Sequence, residues 1–285
     1  MALTSKQQNK QETGKEFEFH RSDFERVRGL IYKRAGISLA DSKQEMVYSR
    51  LARRLRATGI ASFATYLDDL EANRMPDEWE SFVNALTTNL TSFFREAHHF
   101  PLLAEHAMKV KRQTGQPLTV WCSAASTGEE PYSIAITLCE AFNSLTPPVN
   151  IVATDIDTNV LATASAGVYP QERVDKLEAD RLRRFFLKGK GAQEGLVRVR
   201  PELRQLITFR QLNLLSDDWP VRGPFDAIFC RNVMIYFDKA TQRKILSRFV
   251  PLMKPDALLF AGHSENFLYV SDSLRLRGKT VYELG

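Results

Sequence analysis

Two domains of unlike class are predicted: a small all-helical domain, then a doubly wound α/β domain with a small antiparallel β-subdomain inserted in it. Three observations predict this. Up to about residue 88 the apolar residues recur at helical spacing. After Gly115 short β-rich runs alternate with helical patterns, as strand-helix-strand units of a parallel sheet require. A chain of 285 residues is too long for one small core and too short for three full domains.

Composition sets the outer limits. With 44% hydrophobic and 26% charged residues the chain is an ordinary globular one, which excludes disordered and fibrous classes. No run approaches the roughly eighteen apolar residues of a membrane span, and Met1 to Lys15 is polar with no signal-peptide core, so a cytoplasmic address is expected. Residues 1–15 read as a disordered leader. Cys122, Cys139 and Cys230 are odd in number and form no Cys-x-x-Cys pair. They fit buried thiols rather than a disulfide framework or a zinc set, and no metal is expected.

The helical domain is expected over 16–88. Ser22 and Glu25 fit a capping box, Phe24, Val27, Leu30 and Ile31 follow at helical spacing, and Gly36 supplies the stop. From Glu45 to Ala57, Val47, Tyr48, Leu51 and Leu55 gather on one side and Arg50, Arg53 and Arg54 on another. Two further amphipathic stretches carry Phe63, Tyr66, Leu67, Leu70 and then Trp79, Phe82, Val83, Leu86. The α/β domain is expected over 89–285. Its strands are placed at Leu118 to Trp121, Ile151 to Thr154, Ile207 to Arg210, Phe225 to Cys230 and Ala257 to Ala261, with helices at Pro131 to Phe142, Asn159 to Ala166 and Thr241 to Val250. The insertion, at about 168–206, far exceeds the roughly two to six residues usual for such a connection. Within it Phe185 to Leu187 and Leu196 to Arg200 flank a Gly-rich turn, which suggests a β-hairpin.

The net charge of +5 is concentrated. Between Arg21 and Arg56 lie ten basic and four acidic residues, so this segment alone carries +6. Such a field suits an acidic partner, whether nucleic acid, membrane surface or protein, and equally a solvated helix face.

In open α/β sheets ligands bind beyond the carboxyl ends of the strands. The first strand leads into Ser123-Ala124-Ala125-Ser126-Thr127-Gly128-Glu129-Glu130-Pro131, a small-residue turn with a single glycine that matches no phosphate-binding motif. The second ends in Asp155, an acid that suits a ribose diol and also a helix cap. The third leads to Asn213 and Leu214, which could meet a purine or form a turn. Together they ask for a ribose and a base without phosphates. S-adenosylmethionine fits that description.

Four blocks carry a family resemblance: Thr88-Asn89-Leu90-Thr91-Ser92-Phe93-Phe94-Arg95-Glu96, Ala124 through Ser133, Asp155-Ile156-Asp157, and Phe229-Cys230-Arg231-Asn232-Val233-Met234-Ile235-Tyr236-Phe237. They resemble, in order from about residue 20 to the C-terminus, the bacterial chemoreceptor glutamate O-methyltransferases of the CheR family. The resemblance implies a class I S-adenosylmethionine-dependent methyltransferase core. It implies transfer to glutamate carboxylates on the cytoplasmic helices of transmembrane chemoreceptors, with S-adenosylhomocysteine as the other product. It places Asn89, Thr91 and Arg95 at the methionyl part of the cofactor, Glu130 at its amino group and Asp155 at the ribose hydroxyls. Asn213 and Leu214 would line the adenine, Arg231 and Asn232 would close the site near the sulfonium, and Tyr236 would sit near the methyl. Arg231 and Tyr236 are thereby the candidates for orienting the incoming carboxylate.

A glutamate side chain, with a reference pKa of about 4.3, is ionised at neutral pH and needs no general base, so the lack of a recognisable nucleophilic set is consistent. His98 and His99 are assigned to helix packing and capping. Lys43, Arg50, Arg53, Arg54 and Arg56 form a plausible docking surface for acidic receptor helices. A hairpin loop with three spaced glycines, here Gly189, Gly191 and Gly195, resembles that of family members that bind a pentapeptide at the receptor C-terminus. There Arg184, Lys188, Arg198 or Arg200 could meet acidic groups of a strand added to the sheet edge. The rivals are a nucleic-acid methyltransferase and a non-catalytic adaptor. The first is disfavoured because Arg231-Asn232-Val233-Met234 stands where an Asn/Asp-Pro-Pro-Tyr/Phe motif belongs, the second by the intact Arg95, Glu130 and Asp155.

Overall fold

The computed structural model describes residues 15–285. Apart from Lys15, whose Nζ lies 2.7 Å from Glu45 Oε1, the expected leader is outside the described residues. The chain divides into two compact units: the described residues up to Arg34 with Ser38–Leu86, and Thr87–Gly285 with Ala35–Ile37.

The first unit is helical: α1 (Arg21–Ala35), α2 (Gln44–Thr58), α3 (Phe63–Glu71) and α4 (Glu78–Leu86). Its apolar stripes converge, and Phe24, Val27, Ile31, Val47, Leu51, Leu55, Tyr66 and Phe82 are all fully buried. The capping box at Ser22 does not form. α1 begins one residue earlier, because Asp23 Oδ2 accepts the His20 backbone N–H at 2.9 Å. Ser62 caps α3 by accepting the Thr65 N–H at 3.1 Å, and Gly59, with φ of 72°, ends α2 in the left-handed conformation open to glycine.

The second unit begins with α5 (His99–Thr114), which the sequence reading did not place although Phe100, Leu103, Ala107 and Val110 recur at helical spacing and are buried. There follow β1 (Leu118–Cys122), α6 (Glu129–Ala141), β2 (Val149–Asp155), α7 (Thr158–Ala166), β3 (Val168–Pro170), α8 (Ala179–Phe185), β4 (Phe186–Lys188), β5 (Leu196–Val199), α9 (Pro201–Gln205), β6 (Ile207–Gln211), β7 (Phe225–Cys230), α10 (Lys239–Phe249), β8 (Met253–Ala261), β9 (Leu274–Gly278) and β10 (Val281–Leu284). The main sheet has the order β6-β2-β1-β7-β8-β10-β9. Its first five strands are parallel, and β10 and β9, which the sequence reading missed, add antiparallel at the edge. This is the doubly wound methyltransferase sheet that the resemblance implies.

The central strands are buried on both faces and therefore read as near-continuous apolar runs. β7, Phe-Asp-Ala-Ile-Phe-Cys, is buried at every position. Its one charge, Asp226, is satisfied there by the Thr119 backbone N–H and hydroxyl and by Lys254. Phe229 stacks on Phe260 with ring centroids 4.3 Å apart. The register pairs Cys122 with Phe229 and Asp155 with Gln211, so the carboxyl ends of β1, β2, β6 and β7 finish together. The chain order reverses between β1 and β7, where ligands of such sheets bind.

The insertion folds into its own sheet, β3-β5-β4, all antiparallel. The hairpin pairs Phe186 with Val199 and Lys188 with Val197, and β4 lies at an edge. In the connecting loop Gly191 and Gly195 have positive φ, 59° and 82°. Gly189 is required for space instead: a Cβ there would fall 1.9 Å from the Gln193 carbonyl oxygen.

Candidate functional site

The residues after β1 and β2 are bound to one another through carboxylates. Asp155, 8% exposed at the end of β2, accepts the Ser126 backbone N–H through Oδ2 at 2.8 Å and that of Asp157 through Oδ1 at 3.0 Å. It thereby fixes the turn after β1, in which Ser126 and Gly128 have positive φ. A Cβ at Gly128 would lie 2.7 Å from the Tyr169 hydroxyl and 2.9 Å from the Ala164 Cβ, so only glycine lets this turn pack on α7. Burial pushes the Asp155 carboxyl up to about 6 in spite of these backbone donors.

Asp157 ties in the segment that enters the unit. One oxygen caps α7 by accepting the Asn159 N–H at 2.9 Å. The other accepts the Thr87 hydroxyl at 2.7 Å and the Asn89 amide at 2.8 Å, while Ser126 Oγ donates to the Asn89 carbonyl at 3.0 Å. Asn89 thus spends its side chain on this scaffold. Thr91 follows, its carbonyl accepting from Arg173 at 3.4 Å. Arg95 is only partly buried, and its Nη1 donates to the Leu90 carbonyl at 2.8 Å.

Arg231, expected to close the site near the sulfonium and to orient the incoming carboxylate, lies among carboxylates of its own unit. Its side chain is 1% exposed. Nη1 donates to Glu130 Oε2 at 2.8 Å, and Nη2 donates to the Arg95 carbonyl and lies 3.4 Å from Glu96 Oε2. The guanidinium lies against two carboxylates and a carbonyl and so holds Glu130 and the Arg95 backbone in place, while its Nε makes no hydrogen bond. Glu130, expected at an amino group, is already engaged by Arg231 and by the Cys122 thiol, which donates to Oε1 at 3.2 Å. Burial pushes Glu130 up while Arg231 pulls it down, with burial the stronger.

Asn232 follows in the left-handed conformation, with φ of 58°. Its amide donates to Glu96 Oε1 at 3.3 Å and its backbone N–H to Glu265 Oε2 at 2.9 Å. Tyr236 is half-buried on the short 3-10 turn Met234–Tyr236. Beyond β6, Leu214 is buried, and Asn213 Oδ1 accepts the Leu215 N–H at 2.9 Å, the turn-forming bond that was the alternative reading of this residue.

Two carboxylates here escaped the sequence reading. Glu96 Oε1 also accepts from the His263 backbone N–H at 3.2 Å and Nδ1 at 3.1 Å. Burial opposes its ionisation, but His263 and the Arg231 charge outweigh that and hold it at about 2. Glu265 lies just past β8 and could have been found by the same strand-end scan that found Asp155. His99, assigned to packing, is fully buried, with Nε2 at 3.0 Å from the Lys279 carbonyl, and burial lowers it to about 4. Glu96, His98 and His99 bring ligand-type atoms within 4.8 Å of one another, but the Arg231 guanidinium already places a cation against that carboxylate.

In the helical unit the arginine stripe is thinner than expected. Arg54 is withdrawn from it: Nε and Nη2 donate to the buried Glu78 at 2.8 and 2.7 Å, and the Tyr66 hydroxyl donates to the same carboxylate at 2.7 Å. Arg56 pairs with Glu16 at 2.7 Å and Arg50 donates to the Ala85 carbonyl at 3.3 Å, while Lys43 and Arg53 are exposed. In the inserted sheet Arg184 lies 3.8 Å from Asp180 and Arg200 donates to the Arg183 carbonyl, while Lys188 and Arg198 are exposed.

Comparison with known proteins matches residues 22–87 to the family described as CheR methyltransferase, all-alpha domain, and residues 89–282 to CheR methyltransferase, SAM binding domain. The chain is 58% identical over 267 residues to "Chemotaxis protein methyltransferase 2" of Pseudomonas aeruginosa, covering 94% of each chain. It is 57% identical to the "Chemotaxis protein methyltransferase" of Escherichia coli, over 92% of this chain and 90% of that one. The protein of the same name from Salmonella typhimurium is 58% identical over 92% and 89%.

Proposed function

Because the chain belongs to the CheR methyltransferase family, matched over both of its domains, we propose that it transfers the methyl group of S-adenosylmethionine to glutamate side chains of chemoreceptors, in the cytoplasm, leaving S-adenosylhomocysteine. The observation that carries this reading is the 58% identity to a chemotaxis methyltransferase along almost the whole of both chains. Among the described residues no helix is long and apolar enough to cross a membrane.

The residues present fit the cofactor. Asp155 is a buried acceptor at the carboxyl end of β2, next to β1, and the turn after β1, held by its carboxylate, offers backbone at close range without a phosphate loop. Asp155 would take the ribose hydroxyls, Leu214 and Asn213 the adenine, and Arg95 the terminal carboxylate, which a guanidinium binds in bidentate fashion. Glu130 would meet the amino group, with Asn89 and Thr91 shaping that end of the site and Asn232 closing it. The bound cofactor supplies an electrophilic methyl on a sulfonium.

The chain's own part in the reaction is alignment and exclusion of water. The acceptor carboxylate arrives ionised, so no residue needs to remove a proton. Tyr236, half-buried on its turn, would orient that carboxylate. Arg231 would act from behind, by fixing Glu130 and the Arg95 backbone. Holding the reacting atoms in line is worth several kcal/mol.

Receptor helices would dock on Lys43, Arg50, Arg53 and Arg56 of the helical unit, with Arg54 retained for structure. The chain would also be of the pentapeptide-dependent type. β4 is an edge strand with Lys188 exposed on it and Arg198 exposed on its neighbour, so an acidic receptor tail could add as a further strand and tether the enzyme. The test is incubation with methyl-labelled S-adenosylmethionine and receptor-containing membranes, followed by mild base. Label released as volatile methanol marks carboxyl esters and is the expected result. Label that resists base, or that appears on nucleic acid, would refute the proposal.

A further inference from the structure

Glu265 stands just beyond β8, 4% exposed, with every hydrogen bond of its carboxylate going to backbone amides of two loops. Oε2 accepts the N–H of Gly262 at 2.6 Å and of Asn232 at 2.9 Å. Oε1 accepts the N–H of Val233 at 2.9 Å and of Met234 at 2.7 Å. Three of these four donors belong to consecutive residues that continue β7 and lead directly into the turn carrying Tyr236. Successive amides can converge on one point only when the backbone curls around it, which it does here through the positive φ of Asn232. Without a buried anion at the centre, four amides would lose a partner and the strained residue would lose its support.

The other side of the clamp is equally specific. A Cβ at Gly262 would come within 2.4 Å of Asn232 Nδ2 and 2.9 Å of Glu265 Oε2, so a side chain there would push the two apart. Glu96 holds the Asn232 amide from the opposite direction. The residues assigned above to the neighbourhood of the sulfonium and methyl thus stand on a loop whose path is set by two carboxylates, Glu265 through backbone amides and Glu96 through the Asn232 side chain.

We propose that Glu265 is a positioning residue for methyl transfer: by gathering the amides of Asn232, Val233, Met234 and Gly262 on one carboxylate, it sets the loop that presents Asn232 and Tyr236 to the reacting atoms. The proposal rests on the methyltransferase reading given above. It separates Glu265 from the groups that bind the adenosyl part of the cofactor, since Asp155 and the turn after β1 are held by other bonds. Altering Glu265 therefore acts on the rate of transfer and leaves most of the cofactor affinity in place. A displacement of reacting groups by about 1 Å can cost about 100-fold in rate.

The experiment compares wild type with Glu265→Gln and Glu265→Asp. The readouts are single-turnover methylation of receptor membranes at saturating S-adenosylmethionine, and S-adenosylhomocysteine affinity by calorimetry. Glutamine has the same shape but sets an amide N–H₂ against two of the four donors. It is expected to slow transfer by about 100-fold while the product dissociation constant stays within about threefold. Aspartate keeps the charge and is expected to recover part of the rate. Transfer at the wild-type rate in Glu265→Gln overturns the proposal. So does a loss of product affinity as large as the loss of rate, which marks a merely structural residue. If the glutamine variant does not fold, the aspartate variant is read by the same two criteria. Failure of the wild type itself to methylate receptor would instead overturn the methyltransferase reading.

Discussion

The weakened acidity of Asp155 gives a quantitative prediction for cofactor binding. Its carboxyl is pushed up to about 6 by burial, so lowering the pH from 7 to 5 converts the unliganded site from mostly ionised to mostly protonated. If the ribose hydroxyls donate to Asp155, they favour the ionised form, and binding must oppose protonation. The apparent dissociation constant of S-adenosylhomocysteine then grows by about one factor of ten per pH unit below 6. At pH 5 it is about tenfold larger than at pH 7, which is about 1.4 kcal/mol. The effect on the empty protein has the opposite sign. A carboxyl whose folded pKa lies above its unfolded value favours folding when protonated, and that contribution is lost as pH rises through about 6. A displacement of about two units corresponds to about 3 kcal/mol. Titration calorimetry between pH 5 and 7 on wild type and Asp155→Asn tests the first part. Urea unfolding of the two proteins between pH 4 and 8 tests the second, because titrations common to both cancel in the difference. A wild-type affinity that stays flat with pH, or one that changes with the same slope in Asp155→Asn, refutes the assignment of Asp155 to the ribose.

Four other outcomes are expected. Arg95→Ala weakens S-adenosylhomocysteine binding by roughly ten- to a hundredfold, the range for a charge-assisted pair, and calorimetry showing no change contradicts its role. Arg53→Glu raises the KM for receptor with little change in kcat, and the difference from wild type shrinks with added salt because the contact is exposed. Gly189→Ala forces its Cβ against the Gln193 carbonyl. It should abolish binding of the receptor C-terminal pentapeptide, read by fluorescence anisotropy, while methylation of a receptor lacking that tail proceeds at the wild-type rate. Tyr66→Phe removes a donor from buried Glu78 and destabilises the protein by about 1–3 kcal/mol in urea unfolding.

What could be read from the sequence was what local pattern encodes. The strands of the parallel sheet announce themselves because they are buried on both faces, and Asp155 stands out because it ends one of them. α5 carries an equally legible stripe from Phe100 to Val110, yet it falls between two domains whose textures drew the boundary on either side of it. β9 and β10 are short and alternate with charged residues, so each is weak evidence until they pair with each other and with β8. The burial of Arg231 was beyond reach, because its partner Glu130 lies 101 residues away and only the fold brings them together. The ion pair of Arg54 was hidden for the same reason: helical spacing places it on the basic face of α2, and nothing local says that Glu78 will reach it from α4. Glu265 was within reach, since the rule that singled out Asp155 applies to β8 as well.

The enclosure of Arg231 also changes how the electrostatics of the proposed reaction are understood. A free arginine beside the transferred methyl would repel a sulfonium and bind the acceptor glutamate so tightly that its nucleophilicity would fall. Between Glu96, held ionised, and Glu130, the guanidinium charge is offset by carboxylates on two sides. The cluster as a whole is then neutral or anionic, a field that favours a bound cation and gives the acceptor carboxylate no competing salt bridge. Most of this dense set of charges is partnered: Glu96 Oε1 takes His263 and Asn232, Glu130 takes Arg231 and Cys122, and Arg231 takes Glu130 and a carbonyl, while Glu96 Oε2, 3.4 Å from the guanidinium, and Arg231 Nε make no hydrogen bond. Breaking one partner would leave a buried charge uncompensated, which costs more than the bond itself contributes.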